Sequence, residues 1–137
     1  MPIVRIDIPE DTPPQTIRHI ADLVHKALVS ALHIPMADRF QTITRRANDE
    51  MVCAEEFMGI THSQSVVMIQ IVLAPRSAEL KKALFSAIAA EIASHTAFKA
   101  EDVIINLIES AKENWSFGNG IAPVSYTHLR AHETRHD

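Results

Sequence analysis

Pro2 directly follows the initiator methionine. Methionine before a small residue such as proline is the usual substrate for initiator removal, and removal here frees a secondary amine. Neutral, such an amine lifts a proton from the carbon beside a ketone and returns it elsewhere. Protonated, it donates to an enolate or stabilises negative charge, and with an aldehyde it forms a Schiff base. Burial lowers the pKa of an amine and so does a neighbouring cation, whereas a carboxylate a few ångströms away raises it by roughly one to three units. Arg76 is the second chemically suggestive residue. It stands between Pro75 and Ser77, at a strand end opening into a helix. Helix N-termini favour anions, and a guanidinium holds a carboxylate through two parallel hydrogen bonds. The plainer alternative is a solvated arginine in a βα loop.

A third pattern is discounted. His132-Glu133-Thr134-Arg135-His136 matches the H-E-x-x-H zinc-protease spelling, and His128 precedes it by four residues. No downstream third ligand follows and no apolar face supports a buried helix. The stretch from Val124 onward looks like a translated sequencing-library adapter. Residues 124–137 are therefore predicted to be foreign and disordered, with the natural C-terminus missing. The histidines at 19, 25, 33, 62 and 95 read as surface or cap residues, His95 as a helix end, and no metal set is seen among them.

Elements able to hold Pro2 and Arg76 follow from the apolar spacing. Ile3 to Ile8 is short, β-rich and bounded by Pro9. Thr12 reads as a helix cap, Pro13 as the first helical position and Gln15 as the closing residue of a capping box. Ile17, Ile20, Ala21, Val24, Ala27, Leu28, Ala31 and Leu32 form one helical stripe, ended near His33 by Pro35. Arg39 to Thr44 reads as a second strand, with Phe40, Thr42 and Thr44 on one face. A polar connection from Arg45 to Ser65 has room for a hairpin near Met51 to Ala54. Val66 to Leu73 is nearly all apolar, so both its faces should be covered. A second helix starts at Pro75-Arg76-Ser77, with Leu80, Ala83, Leu84, Ala87, Ile88 and Ile92 inward. Asp102 to Ile108 is the fourth strand.

The second half repeats the first after about 64 residues. Residues 1–123 thus read as one α/β domain of two tandem βαβ units, about 2–46 and 66–110, forming a two-layer sandwich with a four-stranded sheet and both helices on one face. The uncovered face calls for a partner, so an oligomer is expected.

Composition narrows the function. At 137 residues the chain suits a single domain, and a net charge of −4 with no basic stripe gives no reason to expect nucleic acid. No apolar run has membrane length and no signal segment is present. One cysteine, Cys53, rules out an internal disulfide framework, fits a reducing cytoplasm and reads as a small, buried or half-buried apolar residue.

The repeat, Pro2 and three segments together resemble the tautomerase superfamily and, within it, malonate semialdehyde decarboxylase and its relatives. The segments are Ala37-Asp38-Arg39-Phe40-Gln41-Thr42, Ala74-Pro75-Arg76-Ser77 and Asn114-Trp115-Ser116-Phe117-Gly118. The likeness spans Pro2 to about Ile121. It implies a homotrimer with the amino-terminal proline in a small apolar pocket, acting on small oxo, enol or unsaturated carboxylic acids; separately, no cofactor is expected. By that resemblance Pro2 is the catalytic amine, Asp38 the water-activating or carbonyl-polarising carboxylate and Arg76 the substrate-carboxylate clamp. Trp115 and Phe117 are implied to wall the pocket. On their own, Asp38 has a lesser reading as a turn residue before a strand, pairing with Arg39, and the two aromatics are more often core than substrate contacts. Gly118 and Gly120 beside them suit a loop closing over a pocket.

One departure is clear. The decarboxylase pattern carries an arginine where this chain has Ala74. The lost clamp weighs against decarboxylating a β-oxo acid, while the lost cation favours a protonated Pro2. Three readings stand: a tautomerase with Pro2 as base, a malonate-semialdehyde-type decarboxylase or hydratase with Pro2 protonated, and a non-catalytic trimeric binding protein.

Overall fold

The computed structural model describes residues 1–123; the adapter-like stretch and the H-E-x-x-H spelling lie outside them. Strand β1 (Ile3–Pro9) leads through helix α1 (Pro14–Leu32) to strand β2 (Gln41–Arg46). A two-stranded hairpin, β3 (Glu56–Phe57) and β4 (Ile60–Thr61), precedes β5 (Val67–Leu73), helix α2 (Ala78–His95) and β6 (Val103–Glu109). The sheet order is β2-β1-β5-β6. Strands pair in parallel within each half, β1 with β2 and β5 with β6, and the halves meet antiparallel with Ile6 opposite Ile69. The starts of β1 and β5, and of α1 and α2, are each 64 residues apart, the spacing of the sequence repeat.

Alternation positions the layers. Val4, Ile6 and Ile8 of β1 and Val67, Ile69, Ile71 and Leu73 of β5 point under the helices and are buried. Ile20, Val24 and Leu28 of α1 and Leu84, Ile88 and Ile92 of α2 meet them. Each such side chain contributes about 1.5–3 kcal/mol by leaving water. The opposite residues, among them Arg5, Gln70 and Asn106, lie on the face that no helix covers. Within one chain the helices cover β5 on one face only; Val72 and Met68 lie on the other side, both half-buried.

Several local expectations are corrected. Helix α1 starts at Pro14 with Pro13 as N-cap and without a side-chain cap. Thr12 instead donates its hydroxyl to the Pro9 carbonyl at 2.7 Å, and Pro13 and Pro14 have no N–H to offer it. Strand β2 runs two residues later than expected. The hairpin turns at Met58-Gly59, both at positive φ, not at Met51 to Ala54. Glycine reaches that conformation without strain. Leu80 and Ala83 are exposed, because the inward stripe of α2 narrows to Leu84, Ile88 and Ile92. His25 is buried rather than at the surface, being three residues before Leu28 on the core side of α1.

Candidate active site

The register brings the start of β1, the start of β2 and the ends of β5 and β6 to one end of the sheet. Ile3 pairs with Val72, Val4 with Gln41, and Leu73 with Glu109. Pro2, Asp38, Ala74 and Arg76 all attach to those strand ends, within a residue or a few of them.

Pro2 is buried. The Met1 ammonium, one residue beyond it, lies 2.9 Å from Asp38 Oδ2, and the Asp38 side chain keeps only 15% of its exposure. Asp38 reaches this place through a tight turn in which its own N–H bonds the Pro35 carbonyl at 3.0 Å. Buried His25 holds the same turn, donating from Nε2 to the Met36 carbonyl at 2.7 Å. Arg39 does not pair with Asp38; its guanidinium meets Asp22 at 2.6 Å and its Nε meets Gln41.

Arg76 is half-buried, just before the N-cap of α2. Ser77 caps that helix by accepting from the Leu80 N–H at 3.2 Å. The Arg76 guanidinium is anchored by one nitrogen, Nη1, on the carbonyls of Ala74 (2.9 Å) and Pro75 (3.2 Å). Among the described residues Nε and Nη2 have no hydrogen-bond partner, which leaves one edge of the fork for a carboxylate.

Trp115 is 8% exposed and its indole donates to the Ser110 carbonyl at 3.5 Å. Phe117 stacks on it, with ring centroids 5.3 Å apart, and meets Phe40 at 5.1 Å. The Phe40 carbonyl in turn accepts the Val4 N–H at 2.9 Å. The aromatic run thus spans from the end of β6 back to the start of β1, beside Pro2. Trp115 serves as core, as one of its two sequence readings held, while Phe117 is exposed enough to touch a ligand.

Sequence reasoning missed three participants: Phe40 as the third ring, His25 behind the Asp38 turn, and Glu109. Glu109 Oε2 accepts the Arg76 backbone N–H at 3.0 Å and its Oε1 pairs with Lys81 at 3.0 Å. The Lys81 bond, then the Arg76 amide, holds the Glu109 carboxyl below its usual range. The signals were faint: His25 lies on the apolar side of its helix, and Glu109 ends a strand beside Leu73.

Cys53 lies at the other end of the sheet, half-buried beside a cavity of about 460 Å³ that His62 and Ser63 also line. Burial, and then the charge of Asp102, raise its thiol pKa. That environment opposes a thiolate nucleophile.

Buried Pro2, the Asp38 carboxylate, the Arg76 guanidinium and the aromatic run thus lie at the same end of the sheet. The family model described as "Tautomerase enzyme" (Tautomerase_2) matches residues 38–118. The Bacillus subtilis (strain 168) protein named "Probable tautomerase YrdN" is 25% identical over 122 residues, covering 89% of this chain and 95% of the relative. Among solved structures, FG41 malonate semialdehyde decarboxylase inhibited by 3-bromopropiolate is 36% identical with a TM-score of 0.86, covering 93% of this chain and 97% of that one. A second malonate semialdehyde decarboxylase, described for its decarboxylase and hydratase activities, is 28% identical with a TM-score of 0.86, over 93% of this chain and 98% of that one.

Proposed function

The chain belongs to the tautomerase family of enzymes, and from that premise we propose that it moves protons on small enol or oxo carboxylic acids through Pro2, once Met1 is removed. The observation that carries this reading is the Met1–Asp38 ion pair of 2.9 Å beside buried Pro2. Consecutive Cα atoms are about 3.8 Å apart, so the freed amine of Pro2 begins one residue step from the carboxylate. Arg76 grips the substrate carboxylate through its unbonded edge. The neutral Pro2 nitrogen then takes the enol hydroxyl proton and, now protonated, returns a proton to the adjacent carbon, giving the ketone and restoring the neutral amine. Phe117, backed by Trp115 and Phe40, keeps that end of the site apolar and strengthens each charged contact.

The active unit is a homotrimer, a proposal supported by the helix-free sheet face that carries Arg5, Gln70, Val72 and Ile104. The absence of a disulfide framework suits a cytoplasmic setting.

The test is ketonisation of phenylenolpyruvate by tail-free protein whose terminus is Pro2. Turnover that persists in Pro2→Ala at the wild-type rate sinks the proposal.

A second reading has its own support. A carboxylate beside the amine favours the protonated form, and malonate semialdehyde decarboxylase is 36% identical. Protonated Pro2 and Asp38 would then decarboxylate or hydrate a three-carbon oxo acid. Ala74 stands against decarboxylation, since it offers no second cation. Carbon dioxide release from malonate semialdehyde, without ketonisation, selects this reading.

A further inference from the structure

Arg76 can grip a carboxylate only if the three-residue turn between Leu73 and Ser77 is held still. That turn is tied from outside at its last residue. The Arg76 N–H, immediately before the cap of α2, bonds Glu109 Oε2 at 3.0 Å, while Lys81 Nζ takes Oε1 at 3.0 Å from within the first turns of the helix. Glu109 thereby lies at the positive end of α2, where an anion is favoured. Its strand is fixed in turn: the Leu73–Glu109 pair ends the β5–β6 register and Ser110 N–H bonds the Leu73 carbonyl at 2.8 Å. The turn's own carbonyls, of Ala74 and Pro75, are the acceptors that hold Arg76 Nη1. Movement of the Arg76 backbone therefore moves the guanidinium's anchor as well.

We propose that Glu109 is a positioning residue for substrate binding: with Lys81 orienting it, it fixes the Arg76 turn so that the free edge of the guanidinium meets the substrate carboxylate. This rests on the reading of Arg76 as the carboxylate grip. Two opposed effects make the sign informative. As a bare negative charge near an anion site, Glu109 weakens binding, so its removal lowers KM. As a hydrogen-bond anchor it strengthens binding, so its removal raises KM.

The experiment compares Glu109→Ala, Glu109→Gln and Arg76→Ala in phenylenolpyruvate ketonisation and by ¹⁵N relaxation of the Arg76 Nε–H. Glutamine keeps a carbonyl oxygen for the Arg76 N–H and drops the charge. The expected result is KM raised about tenfold in Glu109→Ala with kcat little changed, about the loss of one charge-assisted hydrogen bond, and KM near wild type in Glu109→Gln. The Arg76 Nε–H should lose rigidity in the alanine variant alone. A fall in KM in both Glu109 variants overturns the role, and so does an Arg76 Nε–H equally rigid in all chains that retain it, a readout that needs no turnover. If Arg76→Ala leaves KM unchanged, the carboxylate-grip reading fails by itself; if it raises KM while Glu109→Ala does not, only the role of Glu109 fails.

Discussion

The terminal ammonium of Met1 and the carboxylate of Asp38 form an ion pair of 2.9 Å at the mouth of the site. While Met1 is present, Asp38 is occupied and the nitrogen of Pro2 is an amide without basicity. Processing releases both groups at once. Protein forced to keep Met1 should therefore lose about 10²- to 10⁴-fold in turnover, the usual range for a missing acid–base group. Mass spectrometry fixes the terminus of each preparation and the ketonisation assay reads the rate. Equal rates with and without Met1 would leave Pro2 without a catalytic role.

Arg76 should act on binding more than on chemistry. Its Nη1 is already engaged with Ala74 and Pro75, so a substrate carboxylate gains the remaining edge. Charge-assisted hydrogen bonds are worth about 1.5–3 kcal/mol, and about 1.4 kcal/mol is tenfold. Arg76→Ala is expected to raise KM by about ten- to hundredfold. Arg76→Lys keeps the charge but loses the parallel donors, and should fall between. Steady-state kinetics on a carboxylate substrate and on its ester separate the two terms: the ester should be indifferent to both variants.

The larger architecture was legible because its signals are periodic. The apolar stripe of α1 and the 64-residue repeat both survive as read, and together they dictate two βαβ units. Pairing of the halves was less accessible: nothing in the spacing distinguishes Ile6 meeting Ile69 antiparallel from other arrangements. Local errors share a cause. Thr12 has the right side chain for a cap, but the prolines beside it remove donors and its hydroxyl turns to Pro9. At the candidate site, residue type pointed to Pro2 and Arg76, and the register brings both to the same end of the sheet. Glu109 and His25 act through backbone atoms of distant segments, Arg76 and Met36, and no local pattern encodes such a bond.

His25 offers a test of how the Asp38 turn is built. Its ring is 4% exposed and donates to the Met36 carbonyl at 2.7 Å. His25→Leu keeps most of the volume and leaves that carbonyl unsatisfied, a cost of about 1–3 kcal/mol. The urea midpoint should fall accordingly at fixed protein concentration. Ile88→Val, in a fully buried position of α2, serves as the control, with an expected loss of about 0.5–1.5 kcal/mol. If the bond places Asp38, His25→Leu lowers kcat under conditions where both variants are folded, and Ile88→Val does not. Matching kcat values in the two would assign His25 to stability alone.

Cys53 separates the two ends of the sheet experimentally. Burial and the charge of Asp102 raise its thiol pKa from the ordinary value, so less thiolate is present at any pH below that value than on a free cysteine. Since the thiolate is the nucleophile, iodoacetamide at pH 8 should label folded protein more slowly than urea-unfolded protein. The ratio should narrow as pH rises through the raised folded value, because only then does the folded thiol ionise. Fully alkylated protein should retain ketonisation, as Cys53 lies beside His62 and Ser63 at the end of the sheet away from Pro2. Faster labelling of the folded chain would contradict the raised thiol pKa, and activity lost in step with alkylation would contradict the placement of the chemistry at the Pro2 end.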